Sequence, residues 1–353
     1  MEALESNFSF IDELIENQEM RLIGHNLHLR NPESVSTRAL ETLVSYFGHS
    51  SENEIYGNRR ILCEYAGVDS STLVFGRIQH GWVSSNNQRT LIKNDLVDTF
   101  VWSKNSANHC TRNGLKRVTS IGSTWLYFLE IAKRLGWTVN GNDDSERSID
   151  ELWIYGAHST KLQTGEPDHQ LKEFLEAANN SNAKLKRVLL FYIDYHAAED
   201  FIKNNYPSLK VITALGSRLH SASADSHLFN IFWILNNSKR VILDVPTTAL
   251  LYAITMGCKV SWYKNNNYHE VLRDSQERQD LNLITLLTLE DSINQQVMEI
   301  VNGELGLESM KSPKEIRDLF KWGFQRKCKL FLYSTTLRYF LTLPSKIRIS
   351  GKQ

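Results

Sequence analysis

The stretch Val241–Tyr263, VILDVPTTALLYAITMGCKVSWY, decides the fold class. Its apolar opening reads as a buried strand that ends in Asp244-Val245-Pro246. Thr247 and Thr248 then open a helix over Thr248–Met256, Gly257 stands at its C-cap, and Lys259–Tyr263 returns as a strand. Strand, helix and strand in such close succession specify a parallel pair with its crossover helix.

Working outward, the same alternation repeats. Strands are expected at Leu152–Tyr155, Val188–Ile193 and Val211–Leu215, with helices at Asp168–Ala178, His196–Asn204 and Asp225–Leu235. Further back, helices are expected at Ser36–Phe47, Tyr56–Gly67 and Trp125–Leu135, and strands at Thr72–Ile78, Thr99–Ser103 and Arg117–Ile121. Short apolar strands separated by helices indicate parallel sheets covered on both faces. Between the two series lies Asn140–Ser148 (NGNDDSERS), which holds no aliphatic side chain and reads as a linker. The expected fold is therefore α/β, with two Rossmann-like lobes of parallel sheet facing a central cleft. The expected division is an N-terminal lobe over 1–139, a linker over 140–150, a C-terminal lobe over 151–310 and a basic, aromatic helical segment over 311–353.

Composition narrows the function. At 353 residues, 41% hydrophobic and 23% charged, the chain is long enough for two domains with real cores. Lys+Arg and Asp+Glu both number 40, so the basic excess of a general nucleic-acid binder is missing. Cys63, Cys110, Cys258 and Cys328 form no CxxC pair, which suggests neither a zinc knuckle nor a disulfide framework and fits a reduced, cytoplasmic setting. The N-terminus MEALESNFSFIDELIENQEM is acidic and amphipathic and does not read as a signal peptide. Charge is nevertheless uneven. From Lys311 to Gln353 eleven Lys/Arg face two acids, a net +9 interleaved with seven aromatic residues. Such a segment suits an anionic membrane surface, and equally suits a helix that packs its aromatics on the body.

In an open parallel sheet, ligands gather at the carboxyl ends of the strands. The residues expected there are rich in hydroxyl and imidazole groups: Gln79-His80-Gly81-Trp82, Gly122-Ser123-Thr124, His158-Ser159-Thr160, Asp194 and His196, Gly216-Ser217-Arg218, and Thr247-Thr248. The start of the helix at Thr247-Thr248 has free N–H groups, two hydroxyls and a helix dipole suited to a phosphate. The plain alternative is that one of these threonines is an N-cap. No D-x-D, G-x-G-x-x-G, G-x-x-x-x-G-K-[ST] or G-x-S-x-G element supports a metal-dependent transferase, a dinucleotide enzyme, a P-loop enzyme or a hydrolase.

These residues carry a resemblance. The Thr247–Val260 stretch resembles the donor-phosphate motif of GT-B glycosyltransferases, S-[ST]-A-x-x-E-A-x-x-x-G-x-P-V, although Tyr252 stands where an acid often occurs and Lys259 replaces the usual proline. The segment Arg77–Trp82 (RIQHGW) is similar to the Q-x-H-G or Q-H-G turn of bacterial surface-polysaccharide and teichoic-acid-type transferases, and TFVWS at 99–103 and VTSIGST at 118–124 are similar to the strand pair that follows it there. The resemblance spans about Thr72 to Tyr263. It implies a GT-B fold and transfer of a sugar from a nucleotide donor to a cell-surface glycan, for capsule or lipopolysaccharide. A CMP-activated keto-sugar acid such as Kdo, sialic or pseudaminic acid is the favoured donor. CDP-glycerol and UDP-sugar transfer are the same-fold alternatives, and a non-catalytic subunit of a polysaccharide assembly complex is the alternative of another class.

The transfer chemistry needs a base for the acceptor hydroxyl and groups to stabilise the departing phosphate. His80 is the first candidate for base and Asp69 the reserve; a backbone-bonded turn histidine and a helix-to-strand cap are their plain alternatives. Donor and phosphate contacts are assigned to His158, Ser159, Thr160, His196, Gly216, Ser217, Arg218, Thr247 and Thr248. No cofactor and no metal are called for. The expected partners are the nucleotide-sugar donor, an oligosaccharide or lipid-linked glycan acceptor and an anionic membrane surface against 311–353, not nucleic acid. The expected place is the cytoplasm, at most peripheral on the inner face of the plasma membrane.

Overall fold

Two parallel sheets, joined at their carboxyl edges and sharing one buried core, organise the chain. The computed structural model describes residue 53 and residues 56–69, 72–82, 98–137, 139, 144–156, 167, 169–190, 192–213, 227–245, 247–263 and 295–323, with backbone alone at 192, 193, 196, 197 and 213. The expected helix at Ser36–Phe47 lies outside them.

The first sheet holds β1 (Arg77–Ile78), β2 (Thr99–Val101) and β3 (Val118–Ser120), all parallel in that order. Its helices are α1 (Asn58–Ala66), α2 (Lys104–Arg112) and α3 (Thr124–Arg134). Regular strand begins only at Arg77, where Thr72 was expected. Gly76 sits at φ +121°, and a Cβ there would stand 2.5 Å from the Asp98 carbonyl oxygen, so the chain enters the sheet through a kink that only glycine tolerates. The outer edge of β1 is closed by one side chain. The buried Asn53 amide donates to the carbonyls of Val74 (3.2 Å) and Gly76 (2.9 Å) and accepts from the Ile78 N–H (2.8 Å). It satisfies backbone groups that a further strand would otherwise pair.

The second sheet has the order β6-β5-β4-β7-β8, again all parallel. Its strands are β4 (Ile149–Ile154), β5 (Lys186–Leu190), β6 (Val211–Thr213), β7 (Ser238–Leu243) and β8 (Lys259–Trp262), interleaved with α4 (His169–Asn180), α5 (Tyr192–Asn205), α6 (His227–Asn236) and α7 (Thr248–Thr255). In chain order this is the 3-2-1-4-5 arrangement of a doubly wound sheet, whose winding reverses between β4 and β7. The strand expected to reach Ile193 stops at Leu190. Helix α5 begins at Tyr192, so Asp194 lies in its first turn and His196 in its second, rather than just past a strand.

The stretch read as a linker contains a buried anchor. Arg147 is 2% exposed, and its guanidinium donates to the carbonyls of Leu235 (3.2 Å), Ser238 and Met256 and to Cys258 Sγ (3.1 Å). Leu235 and Met256 are at the C-terminal ends of α6 and α7, where orphan carbonyls and the helix dipoles favour a cation. Asp144, also in that stretch, pairs with Lys259 at 2.6 Å.

Helices α3 and α7 pack the two sheets into one core. Trp125 stacks on Tyr252 with centroids 4.3 Å apart and donates its indole N–H to Thr255 Oγ1 (2.9 Å). Burial holds the Tyr252 phenol far above its usual range, with the neighbouring Tyr56 adding to the shift. This explains the missing acid at position 252, because a carboxylate in an aromatic core would be costly. Helix α8 (Gln295–Leu305) packs on α7, and α9 (Pro313–Leu319) returns to α1. Helix α9 starts with a Ser312/Glu315 capping box. Beyond it, Phe320 meets Phe100 edge-on at 4.7 Å, and Trp322 donates to the Leu73 carbonyl (2.9 Å). Of the two readings of the basic C-terminal segment, its described part therefore braces the first sheet. Among the described residues no helix is long and apolar enough to cross a membrane.

Candidate functional site

The site is built where the carboxyl edges of the two sheets meet. β1 leads directly into Gln79-His80-Gly81-Trp82, and Gln79 is locked in place on the first sheet. Its N–H donates to the Phe100 carbonyl (2.8 Å), and its carbonyl accepts from the Trp102 indole (3.0 Å). Its side-chain oxygen accepts from the Trp102 N–H (3.0 Å), while its amide donates to the Gly81 carbonyl (2.8 Å). Buried at 1% exposure, Gln79 thus shapes the turn that presents His80.

Trp82 fastens that turn to the rest of the chain. Its backbone N–H donates to Thr248 Oγ1 (2.8 Å), and its indole N–H donates to Glu304 Oε2 (2.9 Å). Glu304, near the end of α8 and 8% exposed, also accepts from Asn105 Nδ2 (3.2 Å). A Cβ on Gly81 would stand 3.3 Å from Thr248 Oγ1, so glycine permits this close approach.

Three rings gather beside the turn. Tyr56 lies with its ring centroid 6.2 Å from His80 and is stacked on His227 at 4.3 Å. Tyr56 has φ 61° and is followed by Gly57 at φ 72°, a left-handed pair just ahead of α1. A bulky residue in that region is a local strain that surrounding structure must hold. His227 opens α6, so the ring cluster joins the carboxyl edges of both sheets. The sequence reading missed Tyr56 and His227 as members of one cluster, because they are distant in the chain and share no motif.

On the second sheet, the reversal of winding places Gly156, after β4, beside Asp244, after β7. Asp244 Oδ1 accepts from the N–H groups of Gly156 (2.6 Å) and Val245 (2.8 Å). A Cβ on Gly156 would stand 2.2 Å from Thr247 Cγ2, so only glycine fits. Thr247 occupies the N-cap position of α7 with an extended backbone (φ −136°), but its side chain makes no capping hydrogen bond. Its Oγ1 is buried and has no partner among the described residues. The plain N-cap explanation therefore fails for Thr247, and the hydroxyl remains available at the helix start. Thr248, by contrast, spends an acceptor position of its hydroxyl on Trp82.

Of the sequence candidates, the structure brings together His80, Thr247 and Thr248. Asp69 is exposed and follows the C-terminal end of α1, while Tyr56, beside His80, precedes its start. A nine-residue helix is about 14 Å long, so the reserve base is at the wrong end of the helix for this site. His196 is in α5 with only its backbone described. His158, Ser159 and Thr160, which follow Gly156 by a few residues, and Gly216, Ser217 and Arg218, which precede His227, lie outside the described residues. Among the described residues no group of three or more His, Cys, Asp and Glu stands close enough to hold a metal ion.

No protein-family model and no curated protein matches the chain.

Proposed function

We propose that the protein is a GT-B-type glycosyltransferase that moves a sugar from a nucleotide donor to a cell-surface glycan acceptor. The observation that carries this reading is the meeting of two parallel-sheet edges. His80 comes from the first sheet, and the winding reversal of the second sheet supplies Gly156, Asp244 and Thr247 opposite it. A reversal point is where open α/β sheets receive ligands, and a buried hydroxyl at a helix start beside it suits a donor phosphate.

In this reading the acceptor hydroxyl attacks the anomeric carbon as nucleotide phosphate departs. His80, titratable near neutrality by type, accepts the hydroxyl proton. Thr247 and the N–H groups at the start of α7 hold the departing phosphate. His158, Ser159, Thr160 and His196 remain assigned to the donor as the resemblance implies, and Gly216, Ser217 and Arg218 by their place just after an expected strand. A CMP-activated keto-sugar acid is the favoured donor, and the reaction is proposed to run in the cytoplasm without an essential metal. A peripheral membrane contact would rest on residues 324–353, which carry seven Lys/Arg and no acid.

The test is a thermal-shift panel of CMP, CDP, UDP, UMP, GDP and ADP with and without Mg²⁺, followed by His80→Ala. A ligand at 100 times its dissociation constant adds about 2.7 kcal/mol of stability. The expected result is selective stabilisation by CMP, indifferent to Mg²⁺, and a turnover loss on the order of 10²-fold in His80→Ala with nucleotide affinity retained. A CDP or UDP preference overturns the donor. No response to any nucleotide overturns the transferase reading in favour of a non-catalytic subunit.

A further inference from the structure

We infer that Thr248 and Glu304 are positioning residues for His80, acting through Trp82, an inference that rests on the transferase reading above. His80 is carried between two fixed neighbours. Gln79 is bound to the first sheet at its N–H, its carbonyl and its side-chain oxygen, while its amide nitrogen donates within the turn to the Gly81 carbonyl. Trp82 is bound at both of its N–H groups, and both partners come from the far part of the chain: Thr248 Oγ1 at 2.8 Å and Glu304 Oε2 at 2.9 Å. The turn is therefore pinned to the first sheet on one side and to helices α7 and α8 on the other. Gly81 lies so close to Thr248 Oγ1 that a methyl group would meet it at 3.3 Å, which fixes the approach of the turn as well as its hydrogen bonds.

This divides the adjacent threonines by role. Thr247 keeps a buried hydroxyl with no partner among the described residues, while the hydroxyl of Thr248 registers the His80 turn against the helix that begins the phosphate site. Glu304 secures the same tryptophan from below, its second oxygen held by Asn105 Nδ2 at 3.2 Å. Positioning of this kind is catalytically valuable because displacing a reacting group by about an ångström can cost on the order of 10²-fold in rate.

The experiment compares the full chain with Thr248→Val, Thr248→Ser, Glu304→Gln, His80→Ala and the double variant His80→Ala/Thr248→Val. CMP binding is measured by calorimetry, turnover of CMP-sialic acid is followed as CMP release, and the His80 imidazole is observed by NMR of ¹³C-histidine-labelled protein, with His80→Ala assigning its resonance. Thr248→Val is expected to lower turnover about tenfold with the CMP dissociation constant within about twofold of the parent, and Thr248→Ser to restore it. The double variant should lose no more than His80→Ala alone, since both changes remove one function. The His80 resonance should move in Thr248→Val and in Glu304→Gln. Weaker CMP binding with unchanged turnover would make Thr248 a donor ligand and overturn the inference, as would additive losses in the double variant. Absence of both CMP binding and turnover in the parent chain counts against the transferase reading, and the NMR arm then decides separately: an unmoved His80 resonance in both variants refutes the positioning role.

Discussion

Replacing Gly156 by alanine tests the geometry of the winding reversal most directly. The added methyl carbon would lie 2.2 Å from Thr247 Cγ2 and 3.1 Å from Val245 Cγ2. Carbon atoms settle at about 3.5–4.0 Å, so Thr247 must retreat by more than an ångström or turn about χ1. Turning about χ1 carries Oγ1 away from its present place at the helix start. Over-packing of this kind costs about 1–3 kcal/mol, and a protein of this size should lose a few degrees in Tm. Gly156→Ala is also expected to weaken CMP binding by tenfold or more, a loss of about 1.4 kcal/mol. Urea unfolding gives the first quantity and calorimetry the second. A variant as stable as the parent, with unchanged nucleotide affinity, would show that neither the close approach nor Thr247 matters, and the assignment of this corner as a ligand site would fall.

Two further predictions concern the frame that holds the site. Arg147→Met leaves the buried carbonyls of Leu235, Ser238 and Met256 without their guanidinium donor. A buried carbonyl left unsatisfied costs about 1–3 kcal/mol, and that of Leu235 keeps the Cys258 Sγ donor at 3.2 Å, so a destabilisation of about 2 kcal/mol or more in urea is expected, and a change within about 0.5 kcal/mol, the scale of a surface substitution, would refute the anchor. Burial pushes the Cys258 thiol up to about 11, with Arg147 opposing the shift. An unfolded thiol titrates near 8.5, so above that pH the folded state binds more protons than the unfolded one and stability falls as pH rises toward 11. Burial raises Tyr127 and Tyr252 as well, which adds to the fall in the same direction above about pH 10. The urea midpoint should therefore drop between pH 8 and 10, and drop less in Cys258→Ala. Parallel pH profiles of the two proteins would count against the thiol's part.

The anchoring of Arg147 shows how a polar sequence stretch can mislead. NGNDDSERS has the composition of a tether, yet one of its residues reaches the meeting point of two helix ends and a strand start. Composition reports average solvent preference. It does not report that one guanidinium can satisfy several orphan carbonyls at once, and those carbonyls are orphaned only after α6 and α7 are in place. The basic C-terminal segment makes the same point. Its aromatic residues suited a membrane and a protein surface equally, and packing of Phe320 and Trp322 on the first sheet settles the question for the described part alone.

Much of the architecture was legible in the chain by itself. The α/β class, the parallel strands, the positions of most helices and the placement of His80 and Thr247-Thr248 just beyond strands all follow from local periodicity and from glycine and hydroxyl punctuation, which are short-range properties. The order of strands is not short-range, and only the tertiary structure decided that the second sheet reverses between β4 and β7, bringing Gly156 to Asp244 and Thr247. Nor could local pattern pair residues 166 and 222 positions apart, as Trp82 is with Thr248 and Glu304. It also kept Asp69 as a reserve base behind His80, since both flank the first strand. The helix between Tyr56 and Asp69 separates them in space, because a sequence pattern records what precedes and follows a strand but not the length of helix that carries the chain from one edge of the sheet to the other.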